Sequence, residues 1–182
     1  MANYSCYIQI IQRGKGRPAV AAAAYRAGER LVSAYSGRVS DYSHKGGIVH
    51  TEILLPAHAP DEYADRAVLW NTVEGVEQRK TAWLAWEFQL ALPTELSKEE
   101  NIALAREFVQ QSFVSDGMCA DLCIHDKGNG NPHAHIMLPM RPIKRDGTWG
   151  LCWHGPDKAG LWRTAWRQIV DRYLEHRAER VS

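Results

Sequence analysis

Alternating apolar and polar positions mark out most of this chain. The clearest case is 83–92, where Leu84, Trp86, Phe88, Leu90 and Leu92 fall on one side of an extended strand and Ala85, Glu87, Gln89 and Ala91 on the other. One side of such a strand packs on helices, while the other stays open or lines a site. Residues 4–12 read as a first strand and 48–55 as another, stopped by Pro56. Residues 118–125 and 133–140 read as an antiparallel pair joined by the polar, glycine-bearing turn 126–131. Helical spacing takes over elsewhere. Pro18 suits the first position of a helix over about 18–31, whose Ala19-Val20-Ala21-Ala22-Ala23-Ala24 run favours helix and close approach. Residues 61–80 carry an approximate helical stripe. Ser97-Lys98-Glu99-Glu100 is a capping box opening a helix to about Val114, and a last amphipathic helix spans about 160–178. Residues 34–46, polar with glycines, read as a loop. The expected architecture is α+β, a largely antiparallel central sheet with helices packed on one face.

Bulk properties narrow the class. A chain of 182 residues with 45% hydrophobic content fits one globular domain, spanning 1–182. No apolar run approaches the roughly 18 residues needed to cross a bilayer, and the first residues lack the pattern of a signal peptide, so a cytoplasmic protein without membrane insertion is expected. Cys6, Cys119, Cys123 and Cys152 agree with a reducing compartment. The net charge of +1 does not announce a nucleic-acid partner, but its distribution is uneven. Residues 1–31 carry five bases against one acid, 51–116 five against twelve, and 141–182 nine against five. Basic chain ends with acidic helices behind them could face a polyanion.

The chemistry concentrates at Asn131-Pro132-His133-Ala134-His135. His133 and His135 share one strand face, and a hairpin with the preceding strand brings His125 alongside them. Three neutral imidazoles with open coordination positions suit Mn²⁺, Zn²⁺, Ni²⁺ or Co²⁺, and Mg²⁺ less well. Such an ion can polarise a phosphoryl oxygen. Cys119 and Cys123 fall on the same face as His125, which leaves a mixed Cys/His site as a lesser alternative. A polarised phosphate still needs a nucleophile, and tyrosine is a natural one. Tyr25, after the alanine run, and Tyr173, on the last helix, are the candidates. Arg13, Lys15 and Arg17 could hold phosphate at the start of the first helix, with Arg26 nearby. Arg141, Lys144, Arg145, Trp149 and Trp153 combine charge with aromatic faces able to stack unpaired bases.

Asn131-Pro132-His133-Ala134-His135-Ile136 resembles the histidine–hydrophobe–histidine motif of HUH endonucleases. More closely, the chain resembles the N-terminal relaxase domain of the MobA/MobL family through Ala24-Tyr25, Tyr42-Ser43, Glu52-Ile53-Leu54-Leu55-Pro56, Leu69-Trp70-Asn71, Val76-Glu77-Gln78-Arg79-Lys80, Glu87 with Ala91-Leu92-Pro93, Ala105-Arg106-Glu107-Phe108, and Ile124-His125 through His135. The resemblance implies a palm-type fold and a DNA relaxase that nicks and rejoins one strand at a plasmid origin of transfer. It implies that Tyr25 attacks the scissile phosphate, leaving a 5′-phosphotyrosyl link and a free 3′ hydroxyl. It also implies that His125, His133 and His135 bind a divalent ion, Mn²⁺ or Mg²⁺ in function, and that Glu87 orients a histidine or assists the tyrosine. In relaxases the tyrosine precedes the histidine motif, which favours Tyr25 over Tyr173. With no tyrosine beside Tyr25 in sequence, a single-tyrosine enzyme is expected. Implied partners are single-stranded and hairpin origin DNA, accessory relaxosome proteins and a type IV coupling protein, with the domain forming the N-terminal part of a longer protein. A rolling-circle replication initiator, a non-catalytic origin-binding module and a three-histidine hydrolase of small substrates are the rival readings.

Overall fold

The computed structural model describes residues 2–153 and 158–182. Five strands, β1 (Cys6–Gln12), β4 (Ile48–Leu54), β5 (Trp83–Ala91), β6 (Ala120–His125) and β7 (His133–Pro139), form an antiparallel sheet in the order β1-β5-β7-β6-β4. Their helices are α1 (Ala19–Ala27), α2 (Arg66–Val76), α3 (Lys98–Ser112) and α4 (Ala159–Val181). A separate hairpin pairs β2 (Arg30–Val32) with β3 (Val39–Asp41). The α+β class with an antiparallel sheet stands, and two of the helices extend it beyond the expected single face.

α3 and α4 cover the face that carries Trp86, Phe88, Leu90, Leu122, Ile124, Ile136 and Leu138, where Phe108, Phe113, Trp162 and Trp166 fill the core. α1 and α2 cover part of the other face, packing Val20, Ala23, Leu69, Trp70 and Val73 against Ala85, Cys119 and Met137. The small side chains of α1 allow that close seat. Leu84 departs from the sequence pattern. Ile11 pairs with Ala85 and Gln12 with Trp83, so Leu84 is the extra residue of a β-bulge and turns to the α1–α2 side.

The boundaries have local causes. α1 stops at Ala27 because Gly28 adopts φ +66°, and the chain turns into β2 rather than continuing to residue 31. The segment 34–46, read as a loop, contains β3. α2 is shorter than its 61–80 stripe. Asp65 caps it by accepting from the Ala67 and Val68 amides, and the Arg13 guanidinium closes its other end on the carbonyls of Glu74 (2.6 Å), Glu77 and Arg79 (2.9 Å). α3 opens with the expected capping box between Ser97 and Glu100. α2 is also tied to β6 by a buried network. Arg66 donates twice to Asp121 (2.8 and 2.9 Å), and the Trp70 indole donates to the same carboxylate (2.8 Å). Every partner is hydrogen-bonded, the condition under which buried charge is tolerated.

Candidate active site

The two strands of the β6–β7 hairpin lie at the centre of the sheet, flanked by β5 and β4, so their side chains are fixed on both sides. His125 stands directly opposite His133, and His135 opposite Cys123. All three imidazoles emerge on the α1 face, with ring centroids 4.6–5.4 Å apart. One ring nitrogen from each lies within 4.8 Å of the others.

Each imidazole has a further partner, and the partners select tautomers. The His125 Nε2–H donates to the Arg26 carbonyl (2.7 Å), and the His133 Nδ1–H donates to the Asn131 carbonyl (2.9 Å). A carbonyl can only accept, so the proton sits on those atoms and the opposite nitrogen keeps its lone pair. Glu87 lies 3.5 Å from His135 Nδ1, which favours the proton there and leaves Nε2 free. Such outer partners orient the histidines of metal centres. Burial pushes His125 down to about 4 and His135 below the ordinary histidine range, against the hydrogen bond from the first to Arg26 and the pull of Glu87 on the second. Neutral imidazoles are the ligand-competent form, and this donor set fits a divalent cation.

The cysteine alternative falls away. Among the described residues the cluster is the three histidines alone. Burial pushes the Cys119 thiol up to about 12, and burial and Asp121 raise Cys123, whose thiol points at the Asp121 carboxylate (3.6 Å).

Tyr25 is 46% exposed near the C-terminal end of α1. Its neighbour Arg26 joins that end of the helix to the histidines twice over. The Arg26 carbonyl accepts from His125, and its guanidinium forms an ion pair with Glu87, which is 2% exposed. Burial opposes charge on Glu87, yet His135 and Arg26 outweigh it and hold the carboxyl below the usual carboxylate range. Arg26, expected among DNA contacts, is thus committed to Glu87.

The remaining sequence candidates spread out. Arg13 is committed to the end of α2 and to the Tyr35 ring (4.1 Å). The anion seat at the N-terminus of α1 is filled by the protein's own Glu74, which accepts from the Val20 amide (2.9 Å) and Ser33 (2.8 Å). Lys15 is exposed, and Arg17, bonded to Gln9 (3.2 Å), lines an open groove with Tyr25, Arg38 and Tyr42. The 141–153 segment follows β7 at the end away from His133, about 20 Å along the strand. There Lys144 and Arg145 are exposed, Arg141 pairs with Glu77 (2.5 Å), Trp149 stacks on Tyr63 (5.3 Å), and Trp153 packs on Phe113 and Trp162. Tyr173 packs on the opposite sheet face from the histidines.

Two residues at the site carried no role in the sequence. Tyr42 sets its ring edge-on against Tyr25 (5.1 Å), so a second tyrosine is adjacent in space though not in sequence. Lys45 lies with its ammonium 3.4 Å from the centre of the Tyr25 ring. Their nearest signal was Tyr42-Ser43, part of the family resemblance, inside a segment read as loop.

Residues 17–160, which hold Tyr25, Glu87 and all three histidines, match the model of the MobA/MobL family. The chain belongs to that family. It is 39% identical to the probable conjugal transfer protein TraA of Sinorhizobium fredii over 90% of this chain and 16% of the relative. It is 34% identical to mobilization protein MobL of Acidithiobacillus ferridurans, over 94% of this chain and 51% of that protein. This MobA/MobL chain therefore spans only part of these curated relatives. A solved structure described as the molecular basis of vancomycin resistance transfer in Staphylococcus aureus superposes with a TM-score of 0.90 at 32% identity, covering 97% of this chain and 94% of that one.

Proposed function

We propose that the chain is the DNA-nicking domain of a conjugative or mobilising relaxase, acting in the cytoplasm on one strand of an origin of transfer. The observation that carries this reading is the double tie of Arg26, which holds the Tyr25 end of α1 against the histidine cluster. The names of the relatives, conjugal transfer and mobilization proteins, support it.

In this reading the Tyr25 hydroxyl oxygen attacks the scissile phosphorus, its proton is released to solvent, the bond from phosphorus to the 3′ oxygen breaks, and that oxygen takes up a proton from solvent. The products are a 5′-phosphotyrosyl link and a 3′ hydroxyl, and reversal rejoins the strand. His125, His133 and His135 would hold the divalent cation, Mn²⁺ or Mg²⁺ in function, which when bound supplies Lewis-acid stabilisation of charge on the phosphate. Glu87, already shared between Arg26 and His135, orients those groups rather than taking the tyrosine proton. Lys144 and Arg145, at the far end of β7, suit contacts to hairpin phosphates away from the nick.

The test is direct. A fluorescent oligonucleotide from the transfer origin of the replicon that encodes the chain is incubated with protein and Mn²⁺, then denatured. A protein–DNA adduct is expected from the wild type and none from Tyr25→Phe. Absence of the first, or persistence of the second, sinks the proposal, and an adduct lost only in Tyr173→Phe would favour a replication initiator.

A further inference from the structure

Tyr25 poses a physical problem. A half-exposed tyrosine at the end of a helix is free to change rotamer, and an in-line attack tolerates little misplacement. Arg26 fixes the helix backbone, but it does not fix the Tyr25 ring.

Residues 42–47 supply what is missing. The Lys45 ammonium donates to the Tyr25 carbonyl (2.8 Å) and lies 3.4 Å from the centre of the ring, within range of a cation–π contact. The Tyr42 ring meets the Tyr25 ring at 90°. The segment is itself anchored at both ends. The Tyr42 amide donates to the Glu29 carbonyl (3.1 Å), just past α1, and the Asp126 amide donates to the Gly47 carbonyl (2.8 Å), one residue beyond His125. The clamp on the tyrosine is therefore tied to the end of β6, the strand that carries His125. Among the described residues Lys45 has no carboxylate partner, so its charge is not committed elsewhere.

We propose that Lys45 is a positioning residue for the nicking reaction, its ammonium bridging the carbonyl and ring face of Tyr25 so that the hydroxyl is held at one place relative to the histidine cluster. The proposal rests on Tyr25 being the nucleophile. Its simplest rival is that Lys45 only satisfies a carbonyl in the last turn of α1, a role that stabilises the helix without guiding the ring.

Two measurements separate these roles. The first is the single-turnover rate of adduct formation with the same oligonucleotide, at saturating protein and Mn²⁺ and well below the melting temperature. Lys45→Met, close in length but uncharged, is expected to slow adduct formation about 10- to 100-fold while the oligonucleotide Kd moves less than about threefold. Lys45→Arg, which can still donate to the carbonyl and lie over the ring, is expected to recover most of the rate. The second is the NMR spectrum of protein carrying ring-labelled tyrosine, without DNA or metal. The Tyr25 ring signals, assigned through Tyr25→Phe, should shift toward an averaged environment in Lys45→Met and stay near wild type in Lys45→Arg. A wild-type rate in Lys45→Met overturns the proposal, as does a loss confined to Kd, an Arg variant as slow as the Met variant, or unchanged Tyr25 ring signals. If Tyr25→Phe still forms the adduct, the nucleophile assignment itself fails. If Tyr25→Phe is dead while Lys45→Met is unaffected, only the role of Lys45 fails.

Discussion

Replacing Glu87 by Gln keeps the side-chain shape and removes the charge on which two neighbours depend. The Arg26 guanidinium would lose its counter-charge in a buried setting, and His135 would lose the carboxylate that favours the proton on Nδ1. We expect Glu87→Gln to weaken Mn²⁺ binding about 10- to 100-fold by isothermal titration calorimetry, the usual cost of losing an outer partner of a ligating histidine. Unchanged affinity would reduce Glu87 to a structural partner of Arg26. At this scale the sequence exposed some placements and hid others. The histidines were legible because strand geometry alone puts His133 and His135 on one face, and a short turn returns His125 beside them. Glu87 was legible because it is a carboxylate on the polar side of an alternating strand. The contacts of Lys45 with Tyr25 and the double tie of Arg26 were not, since both arise where α1 meets segments far away in sequence. Nor could composition reveal that Glu74 fills the anion seat of α1, a contact spanning 54 residues.

Among elements, the approach of the 42–48 segment to α1 depends on Gly28. Its φ of +66° is costly for other residues, and a Cβ there would come within 2.4 Å of the Ile48 Cδ1 atom. Gly28→Ala is expected to destabilise the fold by about 1–2 kcal/mol in urea unfolding, chiefly through its left-handed backbone, and to slow adduct formation, because the turn it strains carries the Glu29 carbonyl that anchors the Lys45 segment. Ser97→Ala gives the contrast. It removes the cap of α3 on the opposite sheet face and should cost about 1 kcal/mol with no change in adduct formation. The long strands and α3 were readable because burial imposed alternation and a capping box marked a start. β2 and β3 were not, since three-residue strands with exposed outer positions carry too little pattern to distinguish them from loop. The helix stripes at α1 and α2 overran because apolar spacing continued past the points where Gly28 and Glu77 end the hydrogen bonding.

For the whole molecule, a cation bound only by the folded histidine cluster must stabilise the fold by mass action. Mn²⁺ at about 100 times its Kd should add about 2.7 kcal/mol, raising Tm by several degrees for a chain of this size. EDTA should reverse the shift, and the His133→Ala, His135→Ala double variant should show none in a thermal scan. A shift that survives the double variant would place the ion elsewhere. The sheet that holds these histidines is covered on one face and partly on the other, and α1 is fastened at both ends, to α2 at its start and to β6 at its finish. Glu74 receives the Val20 amide at the start of the helix, and the Arg26 carbonyl receives His125 near its finish. In mechanical language α1 is a beam supported at both ends, not a cantilever with a free tip. Lifting it would bare the Glu74 carboxylate at one support and unseat a histidine at the other. In the proposed reaction, a DNA end joined to Tyr25 would be handed back by rotation about the tyrosine's own side-chain bonds, while the scaffold beneath it stays still.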